Sequence, residues 1–485
     1  MSVTKNFLYS SLLTSAGYLF PLITFPYVSR VLGVTNIGIV NFVDSIISYF
    51  VLFSMMGIRT IGIREIAKSQ NNQNEMSQTF YDIVFLNLLF VLLSGAVLLI
   101  SIEVVPQFAE HRKLMYVGAA KLLSSLMLLD WLYKGVEDFK FITLWSLIVR
   151  VLFVISIFVF VRNEDDYPFY FALIILTELV NGIINCIHAR KYIILRIKNL
   201  HLFKYMKSSL TLGAYYILTT MYTTFNVTFL GFVTNTTEVG YYTTATKLHH
   251  IILSLFTAFT GVMLPRMSNL LSNNKRDEFT QKIKYSYSLL VLLSFPFIVW
   301  GFSLSAEIIR FIAGAGYEHA AVPLMIIMPL VFIIGYEQIL VIQILIPLKK
   351  DKAILINSIL GATVGIIANI MLVPRYGCVG SAIVWLISEL CVMASSIYFV
   401  NKEIHIVGVG KMIRRHTLIA IPALTVCVIM NYMIDNYLFV LFATFVFVVL
   451  YYGYIYWYVL NDEFINILKL RLYTYKGYFI TKFRK

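Results

Sequence analysis

Apolar runs of about twenty residues alternate along the chain with short polar connections, most of them basic. A helix that crosses the hydrocarbon core of a bilayer needs about 20 mainly apolar residues. Fourteen stretches qualify: 7–29, 37–58, 80–102, 114–133, 141–161, 168–188, 208–232, 247–270, 285–304, 323–346, 354–373, 378–400, 417–434 and 437–459. Membrane β-strands would be shorter and would alternate in polarity. The pattern predicts an all-α integral membrane protein with about 14 transmembrane helices.

Stretches six spans apart resemble each other. VTNIGIVNFVDS (34–45) opens span 2, and VTNTTEVGYYTTATK (233–247) opens span 8, with Gly38 matching Gly240 after three extra residues. ILTEL (175–179) in span 6 matches LISEL (386–390) in span 12, which pairs Glu178 with Glu389. Six is an even shift, so the halves share one orientation, as in transporters built from parallel repeats. The expected organisation is two pseudo-symmetric six-helix lobes, 1–189 and 208–403. Between them, 190–207 reads as a basic amphipathic helix lying on the inner leaflet. Two extra helices (404–460) and a basic tail (461–485) follow.

Composition agrees: 59% of residues are hydrophobic and 13% charged, against about 25% charged in soluble domains. A net charge of +14 could suggest nucleic acid, but its placement argues for a membrane. With the N-terminus inside, 30 of the 39 Lys and Arg fall on inside connections and tails. Seven fall outside, and Lys121 and Arg150 lie within spans. This bias predicts cytoplasmic termini and accounts for the charge with no nucleic-acid partner. The N-terminal apolar run is too long for a signal peptide and reads as a retained first span. The four cysteines are scattered among apolar residues and imply neither disulfide nor metal. No nucleotide or hydrolase motif occurs, no cofactor is implied, and no loop has room for a catalytic domain. Function has to reside among the helices, and the chain reads as a transporter, not an enzyme.

Charged groups in a bilayer are costly and should face protein or water. In span 8, Thr243, Lys247, His250, Ser254 and Thr257 form one helical stripe; in span 2, Asn41, Asp44 and Ser48 do. Span 7 is rich in Thr and carries Asn226. These three spans are expected to line a water-filled cavity. Pro21 and Pro26 favour a kink in span 1, and Arg30 caps its outer end. Lys121 and Arg150 read as structural pairing or snorkelling. Glu178 and Glu389 are candidates for ion coupling or for a structural role. For Glu178, whose stripe continues through Asn181, Asn185 and His188, contacts within its own lobe are the preferred reading.

FPYVSRVLG (25–33), IGIVNFVDSIISYFVLFSMMGI (37–58), GIREIAK (62–68), DWLYKGVEDFKFIT (130–143) and VMLPRMS (262–268) resemble the Wzx-type flippases of bacterial surface polysaccharides, within the multidrug/oligosaccharidyl-lipid/polysaccharide exporter superfamily. The resemblance runs from about residue 5 to about residue 400. It implies an undecaprenyl-pyrophosphate-linked oligosaccharide as substrate, turned across the bacterial inner membrane for O-antigen, capsule or exopolysaccharide synthesis. It also implies a polysaccharide polymerase and assembly proteins as partners. By the same resemblance, Arg30 and Lys247 occupy the places of cavity cations that hold the pyrophosphate. Asn41, Asp44, Asn226 and His250 complete the candidate sugar and pyrophosphate site. Many relatives carry an acidic residue near Asn226, which this chain lacks. The alternatives are a related multidrug or cation-coupled exporter, a membrane polymerase, and a scaffold of an assembly complex.

Overall fold

A computed structural model describes residues 3–194, 200–201, 203–223, 225–404 and 409–459. Among the described residues every regular element is helical. In chain order these are α1 (Val3–Met55), α2 (Ile58–Ser69), α3 (Gln73–Val104), α4 (Pro106–Glu110), α5 (Arg112–Met127), α6 (Asp130–Gly135), α7 (Phe139–Phe160), α8 (Tyr167–Ala189), α9 (Met206–Thr223), α10 (Phe225–Val233) and α11 (Thr236–Ser272). They are followed by α12 (Arg276–Ser303), α13 (Ser305–Ile312), α14 (Ala321–Ile327), α15 (Leu330–Gln338), a π-helical stretch (Ile339–Leu345), α16 (Asp351–Glu403), α17 (Val409–Met433) and α18 (Tyr437–Tyr454). Large apolar side chains such as Leu92, Ile100 and Phe442 are exposed on helix faces, as a lipid-facing surface requires.

By length and composition, ten helices among the described residues can cross a membrane, or eleven if the bent pair 236–254 and 256–272 counts as one span. The expected count of about fourteen is not reproduced, for two reasons. Expected spans 1 and 2 share α1, and spans 11 and 12 share α16. Span 7 is described in two pieces, α9 and α10, because residue 224 lies outside the described residues.

α1 and α16 each contain a glycine with left-handed φ, Gly33 (φ 73°) and Gly377 (φ 51°). Side-chain pairs show that the chain turns back at both. The first part of α1 runs parallel to α7: Thr143 donates to the Tyr9 carbonyl at 3.0 Å and Tyr27 to the Val161 carbonyl at 2.7 Å. α8 runs against α7, with His188 stacked on Phe141 at 3.7 Å. α5 runs with α8, pairing Ser124 with Glu178 and packing Met127 on Gly182. The second part of α1 runs with α5, Ile47 lying against Gly118 and Ser54 bonding Ser125 at 3.0 Å. The two parts of α1 are therefore antiparallel. In α16, Asn357 donates to Ser396 at 2.7 Å, and these residues lie almost equally far on either side of Gly377. A residue without a Cβ enters such positive-φ conformations at little cost, so each reversal needs no loop.

The chain divides into two compact units. The first comprises 1–244, 312–317 and 365–385; the second comprises 245–311, 318–364 and 386–485. This partition follows compactness: it keeps 1–189 in one unit and divides 208–403 between both, with cuts within α11 and α16. In the first unit the core is built where two of the quoted motifs meet. Trp131 of DWLYKG is stacked near Phe80 and covers Gly62 of GIREIAK, leaving 2.3 Å between its ring and the place a Cβ would take. Asp130 pairs with Lys134 at 2.8 Å and Arg59 at 3.7 Å. Asp138 caps α7 at Phe141 N–H and accepts from Tyr192. In the second unit, Tyr287 and Tyr336 stack in a core continued by Phe279 and Ile283. α17 and α18 pack on α12, Tyr456 donating to the Val291 carbonyl at 3.3 Å.

Of the expected interfacial helix 190–207, residues 195–199 and 202 lie outside the described residues. The described parts, 190–194, 200–201 and 203–205, form turns and irregular chain, not helix, and α9 begins at Met206. The segment 405–408 and the tail from 460 onward also lie outside the described residues.

Candidate functional site

The repeat-matched openings of spans 2 and 8 meet face to face in the first unit. A Cβ at Gly38 would lie 1.7 Å from the Thr236 carbonyl oxygen, and one at Gly240 would lie 2.2 Å from that of Val34. Only two glycines allow the backbones to come this close. Thr35 bonds Thr237 at 3.0 Å on one side of the crossing, and Asn41 donates to Thr243 at 3.0 Å on the other. Each of the pairs 35/237, 38/240 and 41/243 has the same sequence offset. Two like-directed helices that cross in one register produce this pattern, and it matches the glycine alignment read from the sequence.

Deeper in the same unit the structure assembles a charged triad. Lys121 of α5 donates to Asp44 of α1 at 2.7 Å and lies 3.5 Å from Glu178 of α8. The Lys121 side chain is 11% exposed, while those of Asp44 and Glu178 are 35% and 32% exposed. Ser124, one turn along α5, lies 3.1 Å from the other Glu178 oxygen. Asp44, expected as a cavity contact beside Asn41, is tied to a cation within the unit. The sequence reading of Lys121 as a structural pair accords with this contact, but it did not find the partner. The rest of the Glu178 stripe stays inside the unit. Asn181 bonds its own helix at Thr177, Asn185 is buried with its carbonyl accepting from Tyr133, and His188 stacks on Phe141 with Asp138 at 3.6 Å.

Asn226 is 2% exposed and buried in a small amide cluster. It donates to Tyr242 at 3.3 Å and accepts from Asn369 at 2.6 Å. Nearby, Thr228 donates to Ser45 of span 2 at 2.9 Å. Glu238, in the first turn of α11, accepts from the Cys378 backbone N–H at 2.6 Å and anchors the reversal at Gly377. Arg30 is exposed, and its stem lies against Gly314. Arg30, Asn41, Asp44 and Asn226 belong to the first unit, whereas Lys247, His250 and Glu389 belong to the second. In the second unit Lys247 is half-buried and His250 exposed. Thr257, from the same stripe, accepts from Gln338 at 3.0 Å.

Glu389 is 4% exposed and lies close to Glu337 of α15, which the sequence reading passed over. A signal existed: Glu337 is a second acidic residue inside an apolar span, and such groups mark polar paths. Among the described residues no three His, Cys, Asp or Glu side chains are grouped to hold a metal.

The polysaccharide biosynthesis protein family matches the chain over residues 3–271. A putative O-antigen transporter of Escherichia coli (strain K12) is 26% identical over 412 residues, spanning 83% of this chain and 98% of the relative. One from Shigella dysenteriae is 25% identical over 406 residues, spanning 80% and 98%. Among solved structures, a lipid II flippase, MurJ, in an inward closed conformation superposes with a TM-score of 0.74, covering 93% of this chain and 98% of its own. At 16% identity that likeness speaks for the fold. The match covers more than half of the chain and bears out the resemblance to Wzx-type flippases: the chain is a multi-pass membrane protein that belongs to the polysaccharide biosynthesis protein family.

Proposed function

We propose that this protein is a flippase that carries undecaprenyl-pyrophosphate-linked oligosaccharide repeat units across the bacterial inner membrane for surface polysaccharide synthesis. The observation that carries the reading is the glycine crossing of spans 2 and 8. It is a close but side-chain-light contact between repeat-related helices, of a kind that can open and close as a unit. Full-length kinship to putative O-antigen transporters, and a fold shared with a lipid II flippase, support the substrate class. Transport proceeds by alternating access of two pseudo-symmetric halves. Both termini face the cytoplasm, in keeping with the strong bias of Lys and Arg. Arg30 and Lys247 bind the pyrophosphate, where a guanidinium fork and an ammonium offset its charge. Asn41 and His250 offer hydrogen-bonding partners for sugar hydroxyls.

Deleting the gene and profiling lipid-linked intermediates tests this. Complete repeat units should accumulate on the cytoplasmic face; incomplete units, or complete units reaching the outer face normally, would contradict the proposal. Arg30→Ala combined with Lys247→Ala should cut export at unchanged protein level. If export persists, the pyrophosphate assignment fails while the flippase reading can stand.

A further inference from the structure

If Lys121, Asp44 and Glu178 were all ionised, the triad would carry one net negative charge around an ammonium that is only 11% exposed. A buried excess charge is expensive in a membrane protein, and one proton removes it. The hydrogen bonds indicate which oxygen takes that proton. Asp44 has the short 2.7 Å contact with Lys121, the geometry of a charge-assisted bond to a carboxylate. Glu178 is farther from the ammonium, at 3.5 Å, and its second oxygen faces the Ser124 hydroxyl at 3.1 Å. That hydroxyl has a single hydrogen and a nearer acceptor, the Lys121 carbonyl oxygen at 2.7 Å. With Glu178 ionised, the one Ser124 hydrogen has to choose, and a choice for the nearer carbonyl leaves the Glu178 oxygen without it. With Glu178 protonated, its O–H donates to Ser124, and Ser124 donates to the Lys121 carbonyl, so every group is satisfied.

Among the described residues, α3, which packs on α5, brings Asp82, and it accepts from Gln78 and from the His201 N–H. α8 adds Tyr170. The single ion within the membrane stretch of α7 is Arg150, and its guanidinium lies against Gly17 of α1.

We infer that Glu178 is a proton-binding site of this chain, switching the Lys121–Asp44–Glu178 triad between a net charge of −1 and neutrality. Uptake adds one proton to a Glu178 carboxylate oxygen, and release returns it to water. The site stands on its own geometry, whereas its coupling to export rests on the flippase reading.

Infrared difference spectroscopy on the purified full-length protein tests the site without any substrate. A protonated-carboxyl C=O band present at neutral pH should disappear in Glu178→Gln and persist in Asp44→Asn. Ser124→Ala should shift that band without removing it, and this variant decides the matter if Glu178→Gln cannot be purified. A band that survives Glu178→Gln, is lost in Asp44→Asn, or ignores Ser124→Ala would overturn the proposal. In vesicles, Glu178→Gln should abolish the response of lipid-linked oligosaccharide export to an imposed pH gradient. An unaltered response overturns the coupling, and a wild type that exports no such lipid counts against the flippase reading alone.

Discussion

Removing the ammonium of Lys121 would leave Asp44 and Glu178 facing each other with no cation nearby. Breaking a buried ion pair from one side costs about 3–5 kcal/mol, but both carboxyl groups are a third exposed, so about 1–3 kcal/mol is expected for Lys121→Met. Adding Asp44→Asn should recover most of that loss, because it removes the orphaned charge. A thermal unfolding series in detergent checks both. A second residue-scale expectation concerns Asp166, in the turn between α7 and α8. Backbone N–H groups of Arg162 and then Asn163 donate to its carboxylate, both at 2.8 Å, and hold its pKa below the usual carboxylate range. A lowered pKa stabilises the turn at neutral pH, and that support is lost as pH falls through the lowered value. Hydrogen-exchange protection of the Arg162 and Asn163 amides, corrected for the intrinsic rate, should fall in acid, and Asp166→Asn should produce the same loosening at neutral pH. All three charged residues of the membrane triad were visible in the sequence as costly groups in apolar runs. Their partnership was not, because spans 2, 4 and 6 meet through helix azimuths that no local pattern encodes.

At the scale of elements, glycines decide how closely helices approach. Thr35→Cys with Thr237→Cys should form a disulfide readily, since the two hydroxyls sit 3.0 Å apart. If the crossing opens during transport, export should fall on oxidation and return with reductant; unchanged export in fully crosslinked protein would remove the crossing from the mechanism. Gly62→Ala should destabilise the first unit by roughly 1–3 kcal/mol, the usual cost of overpacking, because the new methyl meets the Trp131 ring. Trp131→Phe on the same background should restore part of it, and expression with thermal stability is the readout. The two motifs that carried much of the sequence resemblance, GIREIAK and DWLYKGVED, prove to be the two sides of this single contact. Their residues were legible as a signature, and their reason was not, since a glycine facing a tryptophan nearly seventy residues away leaves no periodic trace.

For the whole molecule, hydropathy located nearly every helix but divided them differently. It placed connections at 30–36 and 374–377, where the backbone makes no loop and turns at one residue. The repeat was legible at Gly38 and Gly240, because the same packing need selects glycine twice. The compact units were not legible, since α11 and α16 pass from one to the other without any change in composition.

The loop-free reversals at Gly33 and Gly377 also set what the molecule shows at those membrane faces. A chain that turns at one residue offers no flexible segment for a protease to bind and no slack for an inserted epitope. Tags or antibody sites placed there should abolish folding, whereas the longer basic connections on the other face should tolerate them. At these two reversals a binding partner would find little chain to grasp.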